Sequence, residues 1–300
     1  MTLNLPLRGV IPALVTPFTA DGNLDEEALR QIVDFLLKQN VNGFFVCGTT
    51  GLGPAMPTEE RKKVAEIVIQ AVGGKVPVIV QVGSVDPHAS IELVKHAQAA
   101  GADAVASLTP FYYKPGEDAI TEYYTRLAES TTLPLFIYNI PRNTGNNVDA
   151  NLLLKLSEIR NIVGVKDSSQ DFNLLIDYLT TLPRSFNVIV GTDSFLYSAL
   201  HAGAHGGVSA LANAFPETML NIYQSFVRKD LERGADLQRQ VHALRSAVST
   251  PPIAPILEVL RMRGLRSGHV RPPLRSMTAK EIEGLRSTVQ RILRQLKLVS

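Results

Sequence analysis

The residues of this chain that could do chemistry are a lysine and a set of hydroxyl side chains, each near the end of a short apolar run. Lys166, Tyr138 and the neighbours Thr49 and Thr50 are the clearest examples. A lysine that loses hydration becomes a neutral amine, which adds to a ketone to form an imine. A tyrosine held by other hydroxyl groups can carry the protons that this addition requires. These residue types therefore indicate carbonyl chemistry through an imine.

The turn Gly48-Thr-Thr-Gly51 presents backbone N–H groups in a concave array that suits a carboxylate. A lysine together with such a carboxylate-binding turn indicates a site for a 2-oxo acid. These residues include no histidine and no pair of carboxylates, so hydride transfer, phosphoryl transfer and metal-dependent hydrolysis are not favoured. His201 and His205 have the spacing of a metal-binding helix but lack its central glutamate, so we expect no metal site.

The elements that must position these residues alternate between apolar runs and segments of helical period. Runs that are apolar throughout are typical of parallel strands covered on both faces. We predict strands at 9–16, 43–47, 78–83, 104–108, 135–138, 162–166, 187–191 and 206–210, and helices at 25–40, 58–72, 87–100, 117–130, 149–159, 172–182, 195–202 and 216–228. We expect Thr58 to cap the second helix.

Eight strand–helix units of this size predict an α/β fold, a (β/α)8 TIM barrel with a C-terminal helical extension. An open doubly wound sheet is the alternative, but it would need a glycine-rich turn after the first strand, and Thr16-Pro-Phe-Thr19 is not one. We predict two regions, residues 1–229 as the barrel that carries the active site and residues 230–300 as the helical extension. Within the extension, Thr278 and Glu281 have the spacing of a capping box.

Composition limits the class of protein and its partners. The 300 residues are 45% hydrophobic, carry a net charge of +2 and include one cysteine, Cys47. The charge is too small to indicate a nucleic-acid partner, and a single cysteine suits a reducing compartment. No uninterrupted apolar run approaches the ~20 residues that cross a bilayer. We therefore expect a cytoplasmic protein with neither a nucleic-acid nor a membrane partner.

In a barrel of this kind the chemistry lies where the strands end at the carboxyl face. The Thr-Thr turn, the segment Thr109-Pro-Phe-Tyr-Tyr113, the pair Tyr138-Asn139 and Lys166 should therefore share one rim. Strand alternation places Lys166 on the side that faces the interior and Asp167 on the opposite side.

Four motifs occur in a characteristic order: Gly48-Thr-Thr-Gly51, Thr109-Pro-Phe-Tyr112, Tyr138-Asn-Ile-Pro141 with Thr144-Gly145, and Gly164-Val-Lys-Asp167. In these motifs the chain resembles the dihydrodipicolinate synthase and N-acetylneuraminate lyase family of pyruvate-dependent class I aldolases. The resemblance runs from about Gly9 to Asn213 and continues loosely into the helical tail.

The resemblance implies a homotetramer, a dimer of dimers, that needs no cofactor beyond the covalent imine on Lys166. It implies that Tyr138 donates and accepts protons, and that Thr49 and Tyr112 complete the relay, with Tyr112 reaching into a neighbouring subunit. It also implies that main-chain N–H groups of Thr49 and Thr50 hold the pyruvate carboxylate. Two further residues, Gly191 and Val208, would line the pyruvate pocket.

Two departures bear on the second substrate. Where the synthase branch has an arginine that holds the carboxylate of aspartate semialdehyde, this chain has Asn143, with Arg142 beside it. Leu52 stands where the synthase motif has a glutamate. The segment Gly48–Ala55 is similar to the 2-keto-3-deoxygluconate aldolase branch. We therefore expect cleavage or synthesis of a 2-keto-3-deoxy sugar acid from pyruvate and a small aldehyde. The alternatives are 4-hydroxy-tetrahydrodipicolinate (dihydrodipicolinate) synthase and a non-catalytic barrel that binds a 2-oxo acid.

Overall fold

The computed structural model describes residues 7–250 and 252–295, so the outermost residues of both predicted regions lie outside the described part. The strands are β1 (Gly9–Pro12), β2 (Phe44–Val46), β3 (Val78–Gln81), β4 (Ala104–Leu108), β5 (Leu135–Asn139), β6 (Ile162–Asp167), β7 (Asn187–Val190) and β8 (Gly206–Ser209). The helices are α1 (Glu26–Lys38), α2 (Thr58–Val72), α3 (Pro87–Ala100), α4 (Glu117–Glu129), α5 (Pro141–Thr144), α6 (Ala150–Ser157), α7 (Phe172–Thr181), α8 (Leu196–Ala202), α9 (Pro216–Arg228), α10 (Leu231–Ala247), α11 (Ala254–Met262) and α12 (Ala279–Gln295).

The eight strands form a parallel barrel, which confirms the predicted fold class. They follow one another in the order β1-β8-β7-β6-β5-β4-β3-β2. The first and last strands pair in parallel, with Gly9 opposite Gly206. Contacts between β1 and β2 close the barrel, because Ala13 bridges Phe45 and the Asn42 N–H donates to the Val10 carbonyl at 2.9 Å.

Apolar side chains fill both sides of the strands. One buried cluster lies inside the barrel and includes Ile11, Phe45, Ile79 and Phe136. A larger one lies between the strands and the surrounding helices. Burial on both faces explains why the strands read as continuous apolar runs rather than as alternating ones. The barrel interior is therefore a packed core, and in such a barrel a site is expected at the rim where the strands end.

Most predicted elements are present, but two local predictions were wrong and one short helix was not predicted. The first strand ends at Pro12 rather than at Thr16. Thr58 does not cap α2, because it is the first helical residue and Pro57 occupies the N-cap position, which has no side-chain cap hydrogen bond. The short helix α5, which follows β5, was not predicted. Pro141 starts it with a preset backbone angle, and Gly145, with φ of +75°, ends it.

The C-terminal helices are attached to the barrel at the carboxyl end of β7. Gln238 of α10 donates to the carbonyls of Asp193 and Ser194 at 2.8 and 3.0 Å and accepts from the Tyr197 N–H at 2.8 Å. Helix α10 also buries Val241. The extension therefore contributes to the same face of the barrel on which the strands end.

The capping box at the start of α12 is confirmed. The N–H of Thr278 donates to Glu281 Oε2 at 2.7 Å, and the Glu281 N–H donates back to Thr278 Oγ1 at 3.3 Å. Within residues 7–250 and 252–295, no helix has both the length and the apolar content that crossing a membrane would require.

Candidate active site

Lys166 is buried at the carboxyl end of β6, with 3% of its surface exposed. It stands directly opposite Tyr138 in the β5–β6 register. Its Nζ lies 3.8 Å from the ring centroid of Phe45 and 3.7 Å from that of Tyr138. The two rings meet edge to face at 81°. The lysine nitrogen is therefore enclosed by aromatic surface at the top of the barrel interior.

Burial lowers the pKa of Lys166 well below its ordinary value of 10.5, and the nearby carboxylate of Asp193 opposes this shift. The aromatic contacts also favour the ammonium, by up to about 2 kcal/mol at a desolvated site. Removing an ammonium from water costs several kcal/mol in a protein, so desolvation outweighs the aromatic contacts. The amine is therefore available as a nucleophile much nearer to neutral pH than that of an exposed lysine.

Tyr138 provides a phenol beside this amine. Its hydroxyl lies 3.2 Å from Thr49 Oγ1, and either atom can donate. Burial raises the pKa of Tyr138, while the Thr49 and Ser168 hydroxyls and the charge of Arg142 lower it. The resting phenol is consequently protonated and hydrogen-bonded to a second hydroxyl, which is the arrangement a proton relay requires.

The turn after β2 is tight, and the N–H groups of Thr49 and Thr50 lie in it. The Leu52 N–H donates to the Thr49 carbonyl at 3.1 Å and the Gly53 N–H to the Gly48 carbonyl at 3.0 Å. Leu52 itself has a left-handed backbone, with φ of +56°. Among the described residues, the N–H groups of Thr49 and Thr50 donate to no protein acceptor. Free N–H groups in a turn form a binding site for an anion such as a carboxylate.

A cavity of about 120 Å³ connects these groups. Liquid water occupies about 30 Å³ per molecule, so the cavity suits a molecule of a few heavy atoms. Gly191 forms part of its wall, where an added Cβ would lie 2.0 Å from Ser168 Oγ and 3.2 Å from Lys166 Cε. A side chain at that position would therefore occupy the space beside the amine.

The structure brings most of the predicted site residues together. Those that line the cavity are Thr49, Thr50, Tyr138, Arg142, Lys166, Gly191 and Val208. Asn143 does not line it. Tyr112 does not line it either, is 84% exposed, has φ of +77° and packs edge to face on Tyr113 with centroids 5.1 Å apart. Its role in a neighbouring subunit stays a prediction.

Asp167 points away from the cavity, as strand alternation predicts. Its Oδ1 accepts from Asn139 Nδ2 at 3.0 Å and its Oδ2 from the Ser169 hydroxyl at 2.8 Å. These bonds hold the loop after β6, so Asp167 has a positioning role on the outer side of the barrel.

Five polar residues of the cavity wall were not predicted from the sequence. They are Ser168, Gln170, Thr192, Asp193 and Arg245. Asp193 is buried, and its Oδ2 accepts from the Leu211 N–H at 3.2 Å. Burial raises the pKa of Asp193, while the Ser209 hydroxyl, the Leu211 N–H, Arg245 and Lys166 lower it. Its position just past the end of β7, two residues after Gly191, was the available signal.

The sequence matches the model of the dihydrodipicolinate synthetase family over residues 6–292. This chain belongs to the dihydrodipicolinate synthetase family. The recognition made from the four motifs is therefore confirmed, and so is the coarser functional class, a pyruvate-dependent class I aldolase family of lyase type.

Individual relatives cover nearly the whole chain. A 4-hydroxy-tetrahydrodipicolinate synthase of Methanothrix thermoacetophila is 36% identical over 288 residues, 95% of this chain and 97% of the relative. The Escherichia coli K12 prophage protein YagE, a family member solved in complex with pyruvate, is 31% identical with a TM-score of 0.92, covering 96% of this chain and 99% of YagE. CdNal of Clostridium difficile, solved in complex with mannosamine, is 28% identical with a TM-score of 0.91, covering 98% of this chain and 99% of CdNal.

Proposed function

We propose that this chain forms an imine between Lys166 and the ketone carbon of pyruvate, and that the carbon next to the imine then bonds to an aldehyde. The observation that carries the proposal is the buried Lys166 nitrogen, with its pKa lowered by desolvation, beside the ring and hydroxyl of Tyr138. Membership of a family of pyruvate-dependent aldolases supports the same chemistry.

The steps follow from the placement of these groups. The neutral amine of Lys166 adds to the ketone, and Tyr138 donates a proton to the resulting hydroxyl so that it leaves as water. The iminium then withdraws electrons from the methyl carbon, which loses a proton to the phenolate of Tyr138 and becomes an enamine. The enamine attacks the aldehyde, whose oxygen takes the proton back from Tyr138. Water then adds to the new iminium, which releases the product as a ketone and restores the Lys166 amine and the Tyr138 phenol. The free N–H groups of Thr49 and Thr50 hold the pyruvate carboxylate.

For the aldehyde we propose aspartate semialdehyde first, which makes the reaction that of 4-hydroxy-tetrahydrodipicolinate synthase. The support comes from relatives of that name, such as the Methanothrix thermoacetophila protein. The sequence reasoning ranked this reaction second. Its first choice, a 2-keto-3-deoxy sugar acid, remains the second candidate, because Leu52 and Asn143 depart from the synthase pattern.

Three further properties belong to the same proposal. The enzyme uses no cofactor other than its own imine-forming lysine. It works in the cytoplasm, and it assembles as a homotetramer in which Tyr112 reaches a neighbouring site. The exposed pair Tyr112 and Tyr113 supports the assembly, because aromatic residues are enriched at protein interfaces.

Trapping with borohydride tests the proposal. Incubation with pyruvate and borohydride should add the mass of one reduced pyruvate per chain, on the peptide that contains Lys166. The Lys166→Met variant should stay unmodified, whereas Lys155→Met, a matched loss of an exposed lysine, should be modified like the wild type. An unmodified wild type would leave only a barrel that binds a 2-oxo acid without catalysis.

The choice of aldehyde needs a separate measurement. Steady-state rates of condensation with aspartate semialdehyde should exceed the rates of cleavage of 2-keto-3-deoxygluconate. The reverse order would favour the sugar-acid reaction and leave the imine chemistry intact.

A further inference from the structure

Two arginines from distant parts of the chain meet at the mouth of the cavity. Arg142 lies in the short helix α5 after β5, and Arg245 lies in the last turn of α10 in the C-terminal extension. Both line the cavity that Lys166 and Tyr138 also line. The barrel and the extension therefore each place one permanent positive charge at the same opening.

The two guanidinium groups share one neutral acceptor. The Gln170 amide is oriented so that its oxygen faces donors and its nitrogen faces acceptors. In this orientation the oxygen accepts from Arg142 Nη1 at 3.0 Å and from Arg245 Nη2 at 3.2 Å. Since both nitrogens lie near a single oxygen, they are within about 6 Å of each other. Gln170 has a left-handed backbone, with φ of +67°, which is uncommon for a residue other than glycine and is concentrated at functional sites.

The charges of these two arginines are not balanced by a direct partner. Among the described residues, neither Arg142 nor Arg245 forms an ion pair with a carboxylate. Most other arginines of the extension have such a partner, for example Arg239 with Asp236 and Arg263 with Glu217. Like charges held this close repel each other, so the arrangement is unfavourable until an anion enters between them.

The Asp193 carboxylate, which lines the cavity, is not the anion that neutralises the two guanidinium groups. Asp193 is buried, and Arg245 acts on it only through its charge, lowering its pKa. The hydrogen-bonding groups of Asp193 face Ser209 and the Leu211 N–H. Among the described residues, the two guanidinium groups donate no hydrogen bond other than those to Gln170, so their remaining N–H groups are free to bind a ligand from solution.

We propose that Arg142 and Arg245 bind the carboxylate at the far end of the aldehyde substrate. This inference rests on the proposed function, in which pyruvate is bound to Lys166. Lys166 is buried, whereas Arg142 is exposed and Arg245 is half-buried, so the aldehyde must approach from the side on which the two arginines lie. Guanidinium groups bind carboxylates through paired hydrogen bonds, and Gln170 holds the two groups in place until the substrate replaces it. The extension thus contributes a specificity-determining residue, Arg245.

Paired aldehydes test the assignment. Condensation with pyruvate is measured for an acidic aldehyde, succinate semialdehyde, and for a neutral one of the same chain length, butyraldehyde. Arg245→Gln should lower kcat/KM for the acidic aldehyde about 10- to 100-fold, the usual effect of losing a charged hydrogen-bond partner. It should change kcat/KM for the neutral aldehyde less than about twofold. Arg142→Gln should also lower kcat/KM for the acidic aldehyde. Arg245→Lys should retain part of the kcat/KM that Arg245→Gln loses.

Arg239→Gln is the matched control, because it removes the same charge from the same helix at a residue outside the cavity. It should leave both aldehydes unaffected. If the neutral aldehyde reacts too slowly to measure, inhibition by glutarate reports the same contact, and its inhibition constant should rise in Arg245→Gln but not in Arg239→Gln.

Equal losses for both aldehydes, or the same loss in Arg239→Gln, would overturn the inference. So would a preference for a phosphorylated aldehyde, glyceraldehyde 3-phosphate, that disappears in Arg245→Gln. Borohydride trapping separates this failure from failure of the proposed function. In the first case pyruvate still modifies Lys166, and in the second it does not.

Discussion

Replacing Lys166 by methionine should make the protein more stable and should change how its stability depends on pH. Lys166 is 3% exposed, and no carboxylate lies within 4.0 Å of its nitrogen among the described residues. Burial lowers its folded-state pKa well below 10.5. Methionine has similar length and fills the same space without a group that needs hydration, so the substitution removes a desolvation cost with little loss of packing.

The sign follows from proton binding. Between its lowered folded-state pKa and the unfolded value near 10.4, Lys166 is neutral in the folded chain and charged in the unfolded chain. The unfolded chain therefore binds one more proton, and this residue makes the free energy of unfolding rise with pH by about 1.4 kcal/mol per unit. Above the unfolded pKa this contribution is constant. The stability advantage of Lys166→Met should shrink at that rate through the window and become independent of pH above it.

Urea unfolding at a series of pH values from 7 to 11 measures this difference. Inside the window, one pH unit changes the difference in the free energy of unfolding between variant and wild type by a sizeable part of a total stability of 5–15 kcal/mol. The dependence of this difference on pH is therefore easy to resolve. The free energy of unfolding of Lys155→Met, at an exposed lysine, should depend on pH in the same way as that of the wild type over the whole range. Parallel curves for Lys166→Met and the wild type between pH 7 and pH 10 would refute the lowered pKa on which the imine chemistry depends.

The remaining predictions concern the wall of the cavity. Tyr138→Phe should lower kcat by 10²–10⁴-fold, because general acid–base catalysis contributes a rate factor of that size. Steady-state kinetics should show a KM for pyruvate within a few-fold of the wild-type value. An unchanged kcat would exclude the phenol as the proton carrier. Gly191→Ala should cost about 1–3 kcal/mol in urea unfolding and should also reduce borohydride trapping, because its Cβ would collide with Ser168 Oγ. Gly284→Ala, where an added Cβ meets no atom within 4 Å, should do neither.

Much of the fold could be predicted because its signals are local. A strand buried on both faces reads as an apolar run and the following helix as a segment of different period, so eight units are visible in the sequence. The ends of elements were less predictable. Nothing in the sequence 9–16 shows that the ladder stops at Pro12, because that depends on how β1 meets β2 and β8.

The deepest part of the candidate site could also be predicted. Lys166, Tyr138 and Thr49 stand at strand ends, and a barrel brings all carboxyl ends of its strands to one rim. The outer part could not. Arg245 follows the last strand of the barrel by more than one helix, and its approach to Gln170 depends on the packing of α10 against the barrel. No spacing within the sequence reports that contact.

The attachment of α10 to the loop after β7 has a consequence for synthesis of the chain. All eight strands leave the ribosome before this helix does, so a nascent chain can assemble the barrel and bury its lysine while the mouth of the cavity is still unfinished. Of the described residues that line the cavity, Arg245 is the last to be synthesised. Under the proposal made for this residue, discrimination between aldehydes would therefore follow imine formation in the emerging chain.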